Sequence, residues 1–291
     1  GVLGQGGIFA QCLCLAHRGS PARPLKDPAA GARDNAGMTA SRLLLITGAS
    51  RGIGAATARL AAAQGWEIAV NYAHDEAAAE AVADAVRAHG RRALTLCADV
   101  ADEGQVRAMF ATLDRHARDG GGVLAGLVNN AGVVDVTARL DEMSGTRLQR
   151  MLAINVFGTL VCAREAVRRM STRHGGQGGA IVNLSSVAAV LGAPSQYVDY
   201  AAAKGAVDSF TVGLAREVAA EGVRVNAVRP GIIDTGIHAS GGQPDRARRL
   251  APTVPMQRPG TADEVAQAIV WLLSPLASYT TGAIVDVTGG R

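Results

Sequence analysis

The stretch YVDYAAAKGA, residues 197–206, sets Tyr200 and Lys204 four positions apart. The chain has 29 basic side chains in its 291 residues, and only two of them are lysine, Lys26 and Lys204. Residues four apart on a helix share one face. A free phenol titrates near 10, too high for efficient proton transfer at neutral pH, and a neighbouring ammonium is expected to lower that value. An ammonium is also compact, with three donors on a flexible stem, where a guanidinium is a broad planar fork. Two serines stand close by: AIVNLSSVAAVLG is an apolar run ending in Ser185 and Ser186, and a hydroxyl there can hold a substrate oxygen beside the phenol. LVNNAG closes another apolar run with Asn129, Asn130, Ala131 and Gly132. Asn155, in MLAINVFG, is a polar residue on an apolar helical face, a pattern shared by satisfied core amides.

A second constellation lies in LLLITGASRGIGAATARL. Gly48, Gly52 and Gly54 follow an apolar run and open a helical pattern, with Ser50, Arg51 and Ile53 between and beside them. Glycines here allow a tight turn and close approach to a pyrophosphate, whose charge is met by free N–H groups at the helix start. After the first strand of a strand–helix series this spacing is a strong dinucleotide signal. A ribose 2′-hydroxyl is normally held by a carboxylate about 20 residues further on. That position falls on Asn71 and Tyr72 in VNYAHDE, neither of them acidic, while Arg51 in the turn suits a 2′-phosphate. NADP(H) is therefore the preferred cofactor, and nearby Asp75 keeps NAD(H) open. His74 reads as a capping or surface residue.

The elements that must position these residues follow from alternation. RLLLITG, WEIAVNY, RALTLCADV, VLAGLVNNAG, GAIVNLSS, VRVNAVRPG and AIVDVTGG are short, nearly unbroken apolar runs, as expected of strands covered on both faces. Between them, segments such as DEAAAEAVADAVRAHG begin with acids and end with basic residues and Gly, the start and stop signals of helices. The expected fold is α/β, a single-domain Rossmann-type doubly wound parallel sheet of about seven strands with helices on both faces. Ligands in such sheets bind at the strand C-terminal ends, where both constellations fall. The Gly-, Pro- and Arg-rich residues 235–258 follow one such end and read as a substrate lid, with arginines that are solvated helix charges.

Composition narrows the function further. The net charge is +4, and about half the excess lies in residues 1–37. No basic stripe interleaved with aromatics follows, which argues against nucleic acid. No apolar run reaches membrane-spanning length. Cys12, Cys14, Cys97 and Cys162 show no metal-binding spacing, so no metal is expected. Cys97 and Cys162 fall in apolar patterns and are expected to be buried and reduced, in keeping with a cytoplasmic setting. Residues 1–37, rich in Gly, Pro and Ala, read as a poorly ordered extension, with Met38 as the natural start of a domain over 38–291.

Together the stretches TGASRGIG, ADV, NNAG, INVFG, SS, YAAAK and RPGIIDT, in this order over residues 41–291, resemble the short-chain dehydrogenase/reductase family. The resemblance implies reversible hydride transfer between a nicotinamide and a carbonyl or secondary alcohol of a small molecule. It implies a tetrad in which Tyr200 donates or accepts the proton and Ser186, rather than Ser185, orients the substrate oxygen. Lys204 would lower the tyrosine pKa and grip the nicotinamide ribose, and Asn155 would hold a water in the proton relay. It further implies that Asp99 and Val100 flank the adenine, that Asn130, Ala131 and Gly132 wall the cofactor, and that Pro230, Gly231, Ile232 and Thr235 contact the nicotinamide end. A homotetramer is implied too, with the Asn155 and Tyr200 helices packing against partner copies. The pattern is similar to bacterial oxidoreductases of the glucose dehydrogenase type. One alternative is a 3-oxoacyl-(acyl-carrier-protein) reductase, against which stand Glu221, where such proteins often carry a basic residue, and a longer approach to Tyr200. A non-catalytic NADP(H)-binding sensor is the other, and the retained tetrad speaks against it.

Overall fold

The computed structural model describes residues 41–291. The extension expected over residues 1–37 and the start at Met38 lie outside the described residues, as do Cys12, Cys14 and Lys26. Strands β1 (Arg42–Ile46), β2 (Glu67–Tyr72), β3 (Ala93–Cys97), β4 (Val123–Asn129), β5 (Gly179–Leu184), β6 (Val223–Pro230) and β7 (Ile284–Val287) form one sheet in the order β3-β2-β1-β4-β5-β6-β7. Every pairing is parallel. The seven strands are those read from the apolar runs, which are unbroken because helices cover both faces; all six residues of β2 are buried. The winding reverses between β1 and β4, and the chain leaves a crevice there at the strand C-terminal ends.

The helices are α1 (Gly52–Ala63), α2 (Glu76–Ala88), α3 (Glu103–His116), α4 (Gly145–Leu152), α5 (Gly158–Met170), α6 (Ala188–Leu191), α7 (Val198–Val218), α8 (Ile237–Ser240), α9 (Arg246–Leu250) and α10 (Ala262–Leu273). Residues of α1, α2 and α10 pack on one face around Ile46, Ile68 and Val70. Those of α3, α5 and α7 pack on the other, around Leu43, Leu45 and Ile181. Each fully buried Leu, Ile or Phe contributes about 1.5–3 kcal/mol, so the sheet is a rigid platform for the loops at its edge. Helix starts carry the expected caps: Asp75 accepts from the Ala78 N–H (3.0 Å), Asp102 from Gln105 (3.0 Å) and Ser144 from Arg147 (3.2 Å). The start of α1 differs, with neither a side-chain cap nor an acid in its first turn.

One cysteine bears out the sequence reading and the other does not, and two further segments gain detail. Cys162 is buried, and burial pushes its thiol up to about 12. Cys97 is exposed, not buried, because it ends β3, the outermost strand, whose tip has a neighbour on one side only. The helix through Asn155 contains a turn of π-helix, Ala153–Phe157, between α4 and α5. The segment read as a lid is folded locally into α8, α9 and a 3₁₀ turn at Ala251–Thr253.

Candidate active site

The glycine turn is built by backbone conformation at two positions and by contact at a third. Gly48 and Gly52 have φ of 60° and 57°, the left-handed region open to glycine. At Gly54 a Cβ would lie 2.6 Å from Asn130 Nδ2 and 2.9 Å from the Gly48 carbonyl oxygen. Asn130 Nδ2 donates to the carbonyls of Thr47 (2.8 Å) and Gly48 (2.9 Å), locking the end of β4 to the turn. The Thr47 hydroxyl accepts from the N–H groups of Asn130 and Ala131, each at 3.0 Å. Asn71 braces the other side: its Oδ1 accepts from the Gly48 N–H (3.1 Å), and its Nδ2 donates to the Leu96 and Ala98 carbonyls. Its side chain thus holds the turn, while the residue itself lines the cleft.

That cleft, about 540 Å³, is lined by Gly48, Ser50, Arg51, Gly52, Ile53, Asn71, Tyr72, Asp99, Val100, Asn130, Ala131, Gly132 and Thr235. It adjoins a second cavity of about 500 Å³, lined by Ser186, Tyr200, Lys204, Pro230, Gly231, Ile232 and Thr235 among others. Ile53, Asn130, Gly132 and Thr235 line both. The expected residues therefore converge on one crevice, apart from Gly54 and Asn155, which stand behind its wall. The residues present fit a dinucleotide. Uncapped N–H groups at the start of α1 suit a pyrophosphate, and the turn is kept close by glycines that a Cβ would crowd.

In the second cavity α7 is bound to the end of β5. Lys204, 4% exposed, donates through Nζ to the Leu184 carbonyl at 2.7 Å. Ser185 Oγ donates back to the Lys204 carbonyl (3.3 Å) and is thereby committed to holding the helix. Ser186 Oγ accepts from the Ala188 N–H (3.1 Å), which leaves its own proton available beside Tyr200. Part of the Tyr200 ring faces the cavity, yet the protein packed around it pushes the phenol up to about 12, with the Ser186 hydroxyl acting in the opposite direction. This reverses the direction expected from the Tyr–Lys spacing. The Lys204 nitrogen lies 5.6 Å from the centre of the Tyr200 ring, bonded to a carbonyl, and does not offset that desolvation. Burial also brings Lys204 down to about 8, against the pull of Asp208 one turn further on.

Asn155 is fully buried and works as a brace. Its Nδ2 donates to the carbonyls of Val133 (3.1 Å) and Met151 (3.0 Å), and its Oδ1 accepts from the Val133 N–H (3.2 Å). A Cβ on Gly132 would lie 2.8 Å from Asn155 Oδ1 and 3.6 Å from Lys204 Nζ, so glycine keeps the space between these two polar atoms open.

One supporting pair escaped the sequence reading. Arg147 of α4 meets Asp199 of α7 through Nε–Oδ2 (2.8 Å) and Nη2–Oδ1 (3.3 Å), with side chains 8% and 2% exposed. Arg147 also donates to the Val136 carbonyl (2.6 Å), and Asp199 Oδ1 accepts from the Tyr200 N–H (2.9 Å). The pair ties the first turn of α7, and Tyr200 in it, to the loop after β4. The only trace in the sequence is an acid immediately before Tyr200. A further departure concerns the lid arginines: Arg248 and Arg249 are exposed, as expected, but Arg246 is half-buried and lines the second cavity.

A family model described as enoyl-(acyl carrier protein) reductase matches residues 48–291. An Escherichia coli protein, uncharacterized oxidoreductase YgfF, is 53% identical over 86% of this chain and 99% of its own length. The cis-4-hydroxycyclohexanecarboxylate dehydrogenase of Sinomonas cyclohexanicum is 40% identical over 86% of this chain and 96% of its own. A short-chain type dehydrogenase/reductase from Mycobacterium marinum superposes with a TM-score of 0.78 at 34% identity, covering 86% of this chain and 96% of that one. The chain belongs to the short-chain dehydrogenase/reductase family. As a member of that family it is an oxidoreductase acting on CH–OH groups with NAD(P). In this short-chain dehydrogenase/reductase the Arg147–Asp199 pair is open to a direct test. Asp199→Ala strands a buried guanidinium and is expected to cost about 3–5 kcal/mol of unfolding free energy in urea denaturation. The double change Arg147→Met with Asp199→Leu should recover most of that loss. An Asp199→Ala loss too small to resolve would mean the pair does not hold α7.

Proposed function

We propose that the protein is an NADP(H)-dependent oxidoreductase that interconverts a carbonyl and a secondary alcohol on a small substrate, with Tyr200 as the acid/base. The supporting observation is the convergence of Tyr200, Ser186 and Lys204 on one cavity that adjoins the glycine-turn cleft. When bound, the nicotinamide supplies or accepts the hydride. Ser186 donates to the substrate oxygen and holds it beside Tyr200, which protonates it as negative charge develops. Burial keeps Tyr200 protonated at neutral pH, the form that donates to a substrate oxygen. Lys204 brings an ammonium beside the ring and, with it, donors for the nicotinamide ribose. Asn155 fixes the Val133 backbone, and its Oδ1 faces Lys204 Nζ across the space above Gly132, where a relay water would be held. The Sinomonas relative, named for a secondary alcohol on a ring, supports this class of substrate.

The NADP(H) preference rests on Arg51, exposed at the cleft and, among the described residues, without a carboxylate partner. The acids nearby are occupied: Asp75 caps α2, and Asp99 Oδ1 accepts from the Ala101 N–H (2.9 Å). A homotetramer is supported by exposed Leu152, Phe157 and Leu160 along α4, the π-helical turn and α5, and by Trp271 on α10. Light scattering is expected to read the mass of four chains, and a monomer would contradict the assembly. The reaction itself is tested by following NADPH oxidation against a panel of ketones, aldehydes and diketones. Arg51→Ala is expected to raise the NADPH KM about tenfold or more, the worth of a charge-assisted contact, with NADH little changed. Equal wild-type efficiency with both cofactors would remove the preference, and NADPH binding without turnover of any carbonyl would remove the reaction.

A further inference from the structure

Arg246, the first residue of α9, lines the catalytic cavity from the lid side and is half-buried. Its guanidinium carbon lies 5.1 Å from the centre of the Tyr197 ring, another wall residue. Among the described residues no carboxylate pairs with it and no side-chain hydrogen bond involves it, whereas its neighbours are engaged. Arg248 approaches Asp245 (3.8 Å), and Arg249 donates to Gln243. Among the described residues no Asp or Glu lines the cavity. Two other titratable groups share this wall, His238 and Arg291; His238 is bonded through Nε2 to the Ile233 carbonyl (2.9 Å), and burial lowers its pKa, so it stays neutral at pH 7. Arg249 and Arg291 add positive charge nearby instead of neutralising it. An always-protonated guanidinium, partly desolvated and facing only a ring, lacks the anion that usually accompanies a buried charge.

We propose that Arg246 is the carboxylate anchor of the substrate, and that the enzyme acts on small oxo acids and the corresponding hydroxy acids. This rests on the carbonyl–alcohol reading above. The reacting carbonyl lies at Ser186 and Tyr200, the apolar body against Leu191, Ile232 and Leu250, and the carboxylate pairs with the guanidinium fork of Arg246. In reduction the carbonyl carbon takes a hydride from NADPH and its oxygen takes the Tyr200 proton, while the carboxylate passes through unchanged. A simple ketone or a 3-oxoacyl thioester presents no anion at that end and leaves the guanidinium unpaired.

The test compares acids with their neutral esters. Steady-state NADPH oxidation is measured for levulinate against methyl levulinate and for cyclic oxo acids against their methyl esters. Independently of turnover, calorimetric titration of the NADP-loaded protein compares cyclohexanecarboxylate with its methyl ester. The acid is expected to win by about tenfold or more in kcat/KM and in Kd. Arg246→Gln should abolish that ratio, and Arg246→Lys should keep part of it. Equal handling of acid and ester by the wild type, or equal weakening of both in Arg246→Gln, overturns the anchor; the second result would reduce Arg246 to a stacking partner of Tyr197. Ketone turnover without acid preference removes the anchor and leaves the reductase. Acid preference in calorimetry without turnover of any carbonyl does the reverse.

Discussion

Lys204 reaches from α7 to the last carbonyl of β5, and this buried 2.7 Å bond is the fixed point around which the site is arranged. It does not stand alone. Ser185 returns a bond from the strand end to the Lys204 carbonyl, and Asn183 Nδ2 donates to Thr211 Oγ1 (2.9 Å) two turns further along α7. Asn183 Oδ1 in turn accepts from Asn129 Nδ2 (2.9 Å), so β4, β5 and α7 are bound in one buried polar seam. Such a network favours a single arrangement through its satisfied members; within the seam, among the described residues, Asn129 Oδ1 is the one buried side-chain atom left without a partner. The consequence for function is register. With Lys204 held at the strand end, Tyr200 one turn earlier stands at the cavity beside Ser186, and the Arg147–Asp199 pair holds the opposite side of that first turn.

The same burial sets the chemistry of the groups it positions. Desolvation acts on both members of the Tyr–Lys pair against their charged forms, raising Tyr200 to about 12 and lowering Lys204 to about 8. Asp208, one turn beyond Lys204, counters part of this, and is itself paired with Arg229 (2.9 Å). The result is a phenol that holds its proton beside an ammonium poised close to neutrality. Further out, apolar walls meet the guanidinium of Arg246, which has no carboxylate partner among the described residues, with Arg291 also on the cavity wall.

Much of this was legible in the chain. Apolar runs closed by Gly, Asn or Ser marked all seven strands, because a parallel sheet covered on both faces needs no alternation. Gly48, Gly52 and Gly54 marked the turn, because each lacks a Cβ for a local reason. Tyr200 and Lys204 shared a face, because α7 is a regular helix. What escaped depends on partners distant in sequence. Asp199 and Arg147 are 52 residues apart and meet only once α4 crosses α7. The exposure of Cys97 follows from β3 being outermost, a matter of strand order that no local pattern records. The direction of the Tyr200 shift was misread because four-residue spacing brings an ammonium to the same face but says nothing of how much solvent remains. Arg246 resembled its exposed neighbours on a short helix, and only the packing of that helix over the cavity separates it from them.

The central claim is that the Tyr200 hydroxyl delivers the proton, and replacing that hydroxyl alone is its most direct test. Tyr200→Phe keeps the ring and its packing, so NADPH binding, followed by fluorescence titration, should be little changed. Carbonyl reduction should fall by about 10²–10⁴-fold, the usual contribution of a positioned general acid. A Tyr200→Phe protein that binds NADPH and reduces its substrate at nearly the wild-type rate would contradict the account.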